Sequence, residues 1–404
     1  MKVLQINAVY GFGSTGRNVA ELHSYLKSKN IQSYVAYGEK KCEDNDEVFY
    51  VGNEVDHKMH GMFSRLFGKQ AYFSRRATKR LCKRIDDIVP DVVHLHNVHA
   101  NYLNFPLLMK HLGKNNIPVM LNLHDCWFFT GKCCHYVGAS CTKWQEACGS
   151  CPQLKANNVS WFFDTSKKVL SEKKELYASM KIGVVGVSDW IVSEARKSIL
   201  RDSLFLKRIY NWVDTAKFRP KDSAFFYEKY GVEKDKKIIL AVSQGWSESK
   251  GLGDLIKVAK RFPDCKVVLV GKPPESENLP KNMILIPFVS DIENLVEIYS
   301  SADVFVNPSR METFGKVTAE AMACGTPIVV YENTGNKELA SFGVGELAKN
   351  LNADDLCDKI GLIMKNGKDF YRDNCVKSAN ERFEMNNQLE EYVKAYKQLI
   401  ELGK

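Results

Sequence analysis

The strongest constraint on the fold is a repeated alternation. Runs of aliphatic and β-branched residues, apolar at consecutive positions, are each followed by a stretch with helical spacing. KVLQINA, QSYVAY, DVVHLHN, PVMLNLH and IGVVGVS make a first series; after Trp212 a second begins with KIILAVS, CKVVLVG, NMILIP, DVFVNPS and TPIVVYE. A strand with one wet face alternates apolar and polar residues, whereas continuous runs need cover on both faces, as parallel sheets flanked by helices provide. Two series in 404 residues predict an α/β protein of two doubly wound, Rossmann-like domains, because single cores stop growing well short of that length. Turn residues and a proline break the pattern at YNWVDTAKFRP. The expected domains are therefore 1–211, with a cysteine-rich insertion at 126–154, and 212–385, followed by a terminal helix at 386–404.

Charge and cysteine usage narrow the setting. The net charge of +9 lies entirely in the first 200 residues, which hold 27 Lys+Arg against 18 Asp+Glu. From Lys58 to Arg84 there are nine basic residues and no acidic one, with Met59, Met62, Phe63, Leu66 and Phe67 and then Phe73, Ala77, Leu81 and Ile85 at helical spacing. This reads as basic amphipathic helix, either an ordinary solvated face or a surface for anionic lipid, where each basic residue adds roughly 1 kcal/mol. Arg75, Arg76, Lys79 and Arg80 are its densest group. No apolar run is long enough to span a bilayer and no leader pattern is visible, so a cytoplasmic, membrane-peripheral protein is expected. Six of twelve cysteines crowd into CWFFTGKCCHYVGASCTKWQEACGSCPQL. Cys148 and Cys151 have a ligand-turn spacing, and with Cys141 and Cys133 or Cys134 they could build a structural zinc site; the set carried forward is Cys134, Cys141, Cys148 and Cys151.

Ligands of doubly wound folds bind beyond the carboxyl ends of the strands. The most specific motif there is NPSRMETFGKVTAEAMACGTPIV, where Gly315 marks a turn and Glu312 precedes Glu320 by eight residues. A helix starting at Gly315 would turn the amides of Gly315, Lys316 and Val317 toward a diphosphate. Glu320, a turn further on, could accept from the two hydroxyls of a ribose, and Glu312 could hold sugar hydroxyls. In the first series, His96 and the pair His124, Asp125 end their strands, and His94 shares a face with His96.

The stretch E-T-F-G-x4-E followed by A-C-G-T-P resembles glycosyltransferase family 4, retaining nucleotide-sugar transferases of GT-B fold, and the likeness extends over nearly the whole chain. The linker is similar to the family's N-G-V-D-x3-F-x-P, and the cysteine-rich segment looks like the subgroup of colanic acid and capsule polysaccharide enzymes. The resemblance implies two Rossmann-like domains facing a cleft, with a last helix crossing back to the first. It implies that Glu320 binds the nucleotide ribose, Glu312 the donor sugar and Lys250 the departing diphosphate. Phe314, Gly315, Lys316 and Val317 belong to the same donor site; His124 lies near donor sugar and acceptor hydroxyl, with His96 and Asp125 on the acceptor side. The family usually carries an Arg shortly before the Lys; VSQGWSESK offers Gln244 and Ser249, so Arg310 is the candidate replacement. With no carboxylate nucleophile evident and no Asp-x-Asp motif, a front-side, metal-independent transfer is expected, using no cofactor beyond a structural zinc. The partners implied are a nucleotide-sugar, UDP-linked before GDP-linked, a lipid-linked or glycan acceptor for surface polysaccharide, and no nucleic acid.

The loop YGFGSTGRN also spells G-x-G-x-x-G, and Glu39 stands near the place of a dinucleotide enzyme's acidic residue. A nicotinamide-dependent oxidoreductase is therefore one alternative, and a zinc-containing nucleic-acid binder another. Neither gives Glu312 and Glu320 a role, so Gly13 and Gly16 are assigned to donor or acceptor contact.

Overall fold

A computed structural model describes residues 1–156, 158–222, 224–274, 278–340 and 343–404. The chain forms two compact units, Met1–Ile209 with Leu389–Lys404, and Tyr210–Gln388. The first holds a parallel sheet of β1 (Lys2–Asn7), β2 (Gln32–Tyr37), β3 (Val48–Tyr50), β4 (Val92–Leu95), β5 (Val119–Leu123), β6 (Ile182–Gly186) and β7 (Phe205–Arg208), in the order β3-β2-β1-β4-β5-β6-β7. The second holds β8 (Ile238–Gly245), β9 (Lys266–Lys272), β10 (Met283–Ile286), β11 (Val304–Asn307), β12 (Ile328–Tyr331) and β13 (Gly345–Ala348), ordered β10-β9-β8-β11-β12-β13.

The apolar runs are the inner strands, except NMILIP, which forms the edge strand β10. Val3, Leu4 and Ile6 of β1 and Val304, Phe305 and Val306 of β11 are fully buried on both faces, each such side chain contributing roughly 1.5–3 kcal/mol. The short strands β3, β7 and β13 were not read from the sequence. All three are sheet edges, where one neighbour is missing and a continuous apolar run is not needed. In each sheet the strand order reverses once, between β1 and β4 and between β8 and β11. Within each unit, the loops leaving its reversing pair of strands lie where folds of this kind bind ligands.

The last helix, Met385–Leu402, contributes Leu389–Leu402 to the first unit. Tyr392 donates from its hydroxyl to Asn122 Oδ1 at 2.7 Å, and the Tyr396 hydroxyl shares a 2.7 Å hydrogen bond with His94 Nδ1. Lys207 adds an ion pair to Glu391 at 2.6 Å. The rings of His94 and His96 lie 3.9 Å apart and both are buried. Burial, then the nearby His124, holds the His94 imidazole down to about 3. The unfolded chain takes up that proton below the ordinary 6.5 while the folded chain refuses it until about 3, so stability is lost as pH falls through this window. Urea midpoints followed across it are expected to drop with pH, less steeply in His94→Gln; parallel slopes would show that His94 is not the titrating group.

Candidate functional site

In the second unit, the loops after β8 and β11 interlock. Gly251 has φ +75°, and a Cβ there would stand 2.4 Å from the Pro308 carbonyl oxygen, so only glycine lets the Ser247–Gly251 turn lie against the Asn307–Arg310 turn. The Arg310 amide donates to Ser249 O at 3.0 Å and its Nε to Glu248 O at 3.3 Å. Two ion pairs follow from that contact. Lys250 Nζ meets Glu312 Oε1 at 2.6 Å, and Arg310 Nη1 meets the buried Asp254 carboxylate at 2.9 Å. Tyr331 also donates to Asp254, at 2.8 Å. The structure thus brings Lys250, Arg310 and Glu312 together, and it seats Arg310 on the turn that carries Lys250.

Gly315, with φ +92°, caps the helix Lys316–Ala323. Its missing side chain leaves room for Asn336 Oδ1, which would lie 2.4 Å from a Cβ. The first amides of a helix have no carbonyl of their own helix to reach, so this end is suited to an anion. Lys316 and Val317 are half-buried there. Glu320 is 3% exposed and accepts from the Tyr299 hydroxyl at 3.0 Å, which fixes the orientation of its carboxylate. Phe314 is buried against Tyr210 and Phe383 and serves packing.

Sequence reasoning did not find the polar scaffold behind these residues. Asn307 Nδ2 donates to Thr318 Oγ1 at 3.0 Å, which in turn donates to Asn336 Oδ1 at 3.1 Å, all buried. The Glu312 amide donates to Thr334 Oγ1 at 3.0 Å, and the Gly335 amide to Glu312 O at 2.9 Å. Thr334 sits at φ +45°, an uncommon conformation for a β-branched residue and a mark of local strain. The available signal was ENTGNKE at the carboxyl end of β12.

In the first unit, Gly11 and Gly13 have positive φ, and the Gly11 amide closes the loop onto Gly16 O at 2.9 Å. Gly16 is buried, with the place of a Cβ 3.0 Å from Val9 Cγ2, so its role is close packing. His96 Nδ1 and His124 Nε2 are 3.0 Å apart, and His96 Nε2 lies 3.2 Å from Gln5 Oε1. Asn122 Nδ2 reaches His124 Nε2 at 2.9 Å. His124 is half-buried at the end of this chain, whereas His96 is 2% exposed. Asp125 turns away to His99, with Oδ2 at 2.8 Å from Nε2. Burial alone would raise the Asp125 carboxyl, yet His99 brings it down to about 2.

The cysteine-rich segment has only three short 3-10 turns, Trp127–Phe129, Val137–Ala139 and Lys143–Gln145. Cys133, Cys141, Cys148 and Cys151 line one cavity beside Lys143 and Trp144. The Gly131 amide donates to Cys148 Sγ at 3.4 Å. Cys134 lies elsewhere, 3.8 Å from His99 Nδ1. The structure therefore places Cys133, rather than Cys134, with the other three.

Residues 222–382 match the family "Glycosyl transferases group 1". A D-inositol 3-phosphate glycosyltransferase of Mycobacteroides abscessus is 29% identical over 179 residues, 41% of this chain and 40% of that one. WcaC of Escherichia coli K12, named for colanic acid biosynthesis, is 20% identical over 86% of this chain and 87% of its own. A Campylobacter jejuni N,N'-diacetylbacillosaminyl-diphospho-undecaprenol α-1,3-N-acetylgalactosaminyltransferase is 30% identical over 43% of this chain and 48% of its own. The first and last of these alignments thus span less than half of the relative. Among solved structures, sucrose-phosphate synthase of Thermosynechococcus elongatus has a TM-score of 0.71 at 15% identity, covering 99% of this chain and 100% of that one. Anabaena HepE in complex with UDP has a TM-score of 0.66 at 16% identity, covering 98% and 99%. The fold is shared end to end with these solved structures, and residues 222–382 are similar to the glycosyl transferases group 1 family.

Proposed function

We propose that this protein is a retaining glycosyltransferase that moves a sugar from a nucleotide-sugar, UDP-linked before GDP-linked, to a lipid-linked or oligosaccharide acceptor in bacterial surface polysaccharide assembly. The observation that carries this reading is the pairing of Lys250 with Glu312 and of Arg310 with Asp254 beside the amino end of Lys316–Ala323. Two cations held by carboxylates next to helix amides can exchange those carboxylates for the oxygens of a diphosphate. Glu312, released from Lys250, then accepts from hydroxyls of the donor sugar, while Glu320 accepts from the ribose.

As the bond to the anomeric carbon lengthens, negative charge grows on the leaving phosphate. Lys250, Arg310 and the first-turn amides stabilise it as preformed donors. A leaving-group oxygen takes the acceptor's proton, so retention follows without a carboxylate nucleophile. Arg310 supplies the second cation that Gln244 cannot, and no divalent ion is required. His124, oriented by His96 and Asn122, is assigned to the acceptor side of the reaction. The names of the Escherichia coli and Campylobacter relatives support the polysaccharide and lipid-linked acceptor, and HepE with bound UDP supports the donor.

The same reading places the protein at an anionic membrane face. Val55, Met59, Met62 and Phe67 on the helix Glu54–Phe67, and Trp161, Phe162 and Phe163, are exposed. Phe67 and Phe163 stack at 6.3 Å, which joins the two groups, and exposed Lys58, Arg65, Arg75 and Arg76 belong to the same basic stretch. Ala77, Leu81 and Ile85 of the helix Arg75–Ile88 are core residues, so its charged side alone is available. An apolar patch with basic neighbours matches the surface of an anionic bilayer.

Three measurements test the proposal. Calorimetric titration with UDP, GDP, ADP and NAD in EDTA is expected to show binding of one nucleoside diphosphate, weakened in Glu320→Ala; binding of NAD alone would return the glycine loop to a dinucleotide role. Lys250→Ala is expected to lower sugar transfer by about 10²–10³-fold, the usual loss for one charge-stabilising donor. In a vesicle flotation assay the protein is expected to rise with phosphatidylglycerol and not with phosphatidylcholine, and the double change Phe162→Ser, Phe163→Ser is expected to reduce that; equal recovery with both lipids would remove the membrane from the reading.

A further inference from the structure

We propose that His99, Asp125 and Cys134 form a zinc site in the first unit, independent of the transferase reading. Asp125 follows β5, His99 follows β4, and Cys134 belongs to the cysteine-rich segment, so the three donors come from separate stretches of chain. Their ligand atoms all lie within 4.8 Å of one another, and among the described residues they are the one group of three such donors that does. His99 Nε2 is 2.8 Å from Asp125 Oδ2 and 3.9 Å from Cys134 Sγ. Tetrahedral zinc, with bonds of about 2.0–2.2 Å to nitrogen and oxygen and about 2.3 Å to sulfur, sets those separations near ~3.3 and ~3.6 Å. Both are reached by movements of about half an ångström, within ordinary side-chain torsion.

The surroundings are those of a held ligand set. Asp125 Oδ1 accepts from the Trp127 amide at 2.8 Å, which leaves Oδ2 aimed at His99. The Asn158 amide donates to Cys134 Sγ at 3.3 Å, as second-layer donors do for a metal-bound thiolate. The Cys126 amide donates to Cys134 O at 2.9 Å and holds the cysteine's backbone beside Asp125. All three ligand side chains are half-buried or better, so the site is shielded without being sealed. One nitrogen, one carboxylate and one thiolate favour zinc over magnesium or calcium, which take oxygen alone. Three protein donors leave one position, filled by water; binding displaces the thiol proton of Cys134 to solvent. The ion ties a segment poor in secondary structure to the carboxyl ends of β4 and β5, next to His124. The cavity lined by Cys133, Cys141, Cys148 and Cys151 is a separate feature, since no three of those sulfurs come within 4.8 Å of one another.

The test is metal reconstitution of the full chain, stripped with a chelator and titrated with Co2+. One cobalt per chain is expected, with a near-ultraviolet thiolate charge-transfer band that is lost in Cys134→Ser and His99→Ala and kept in Cys141→Ser and Cys148→Ser. Should the ligand variants fail to fold by circular dichroism, Asn158→Ala removes only the second-layer donor and is expected to weaken cobalt binding roughly 10–100-fold. A wild-type protein without the band overturns the proposal. So does a band that survives Cys134→Ser and disappears in Cys148→Ser, or unchanged affinity in Asn158→Ala.

Discussion

The second unit depends on two places where backbone passes backbone or a buried amide too closely for any side chain. At Gly251 the turn after β8 rests on the carbonyl of Pro308, and at Gly315 the helix start rests on Asn336. Both glycines also have positive φ, so another residue would meet a steric and a conformational penalty together. These contacts fix the distance between the loop that carries Lys250 and the loop that carries Arg310 and Glu312. The ion pairs, the orientation of the Lys316–Ala323 amides and the Asn307, Thr318, Asn336 network all assume that spacing.

Those ion pairs hold the site in a charged but balanced state. A lysine and an arginine exposed side by side would repel and spread over many rotamers; each is restrained by a carboxylate instead. Asp254 is further fixed by Tyr331, and Glu312 by the backbone contacts at Thr334 and Gly335. Under the proposed transfer, this ordering would be in place before a diphosphate binds, which lowers the entropy lost on binding. Arg310 reaches the Lys250 turn from the neighbouring loop, and the proposed transfer draws from it the second cation that Gln244 does not supply.

What was legible in the sequence follows from where the physics is local. Inner strands announce themselves because both faces are buried, and Gly315 and Glu320 because a turn and a helix start have residue preferences. The edge strands β3, β7 and β13 carry weaker patterns because one neighbour is absent, although the edge strand β10 keeps its apolar run. The scaffold of Asn307, Thr334 and Asn336 consists of common loop residues whose meaning lies in contacts across tens of positions. Gly16 fitted a ligand-loop pattern yet is consumed by packing against Val9. Adjacent cysteines were the hardest case. Spacing could not separate Cys133 from Cys134, because neighbouring residues in irregular backbone can face opposite ways, and only the positions of His99 and Asn158 show which way each turns.

The attachment of the final helix has a consequence for how the protein is made. His94 and Asn122 sit in the middle of the first sheet, and their hydrogen-bond partners, Tyr396 and Tyr392, follow the whole of the second unit in the chain. Buried polar groups without partners are costly. During translation the first unit therefore waits, with part of its interior unsatisfied, while the whole of the second unit is made. Its completion is tied to synthesis of the helix Met385–Leu402, so the protein reaches its finished first unit only after the second has had the chance to fold.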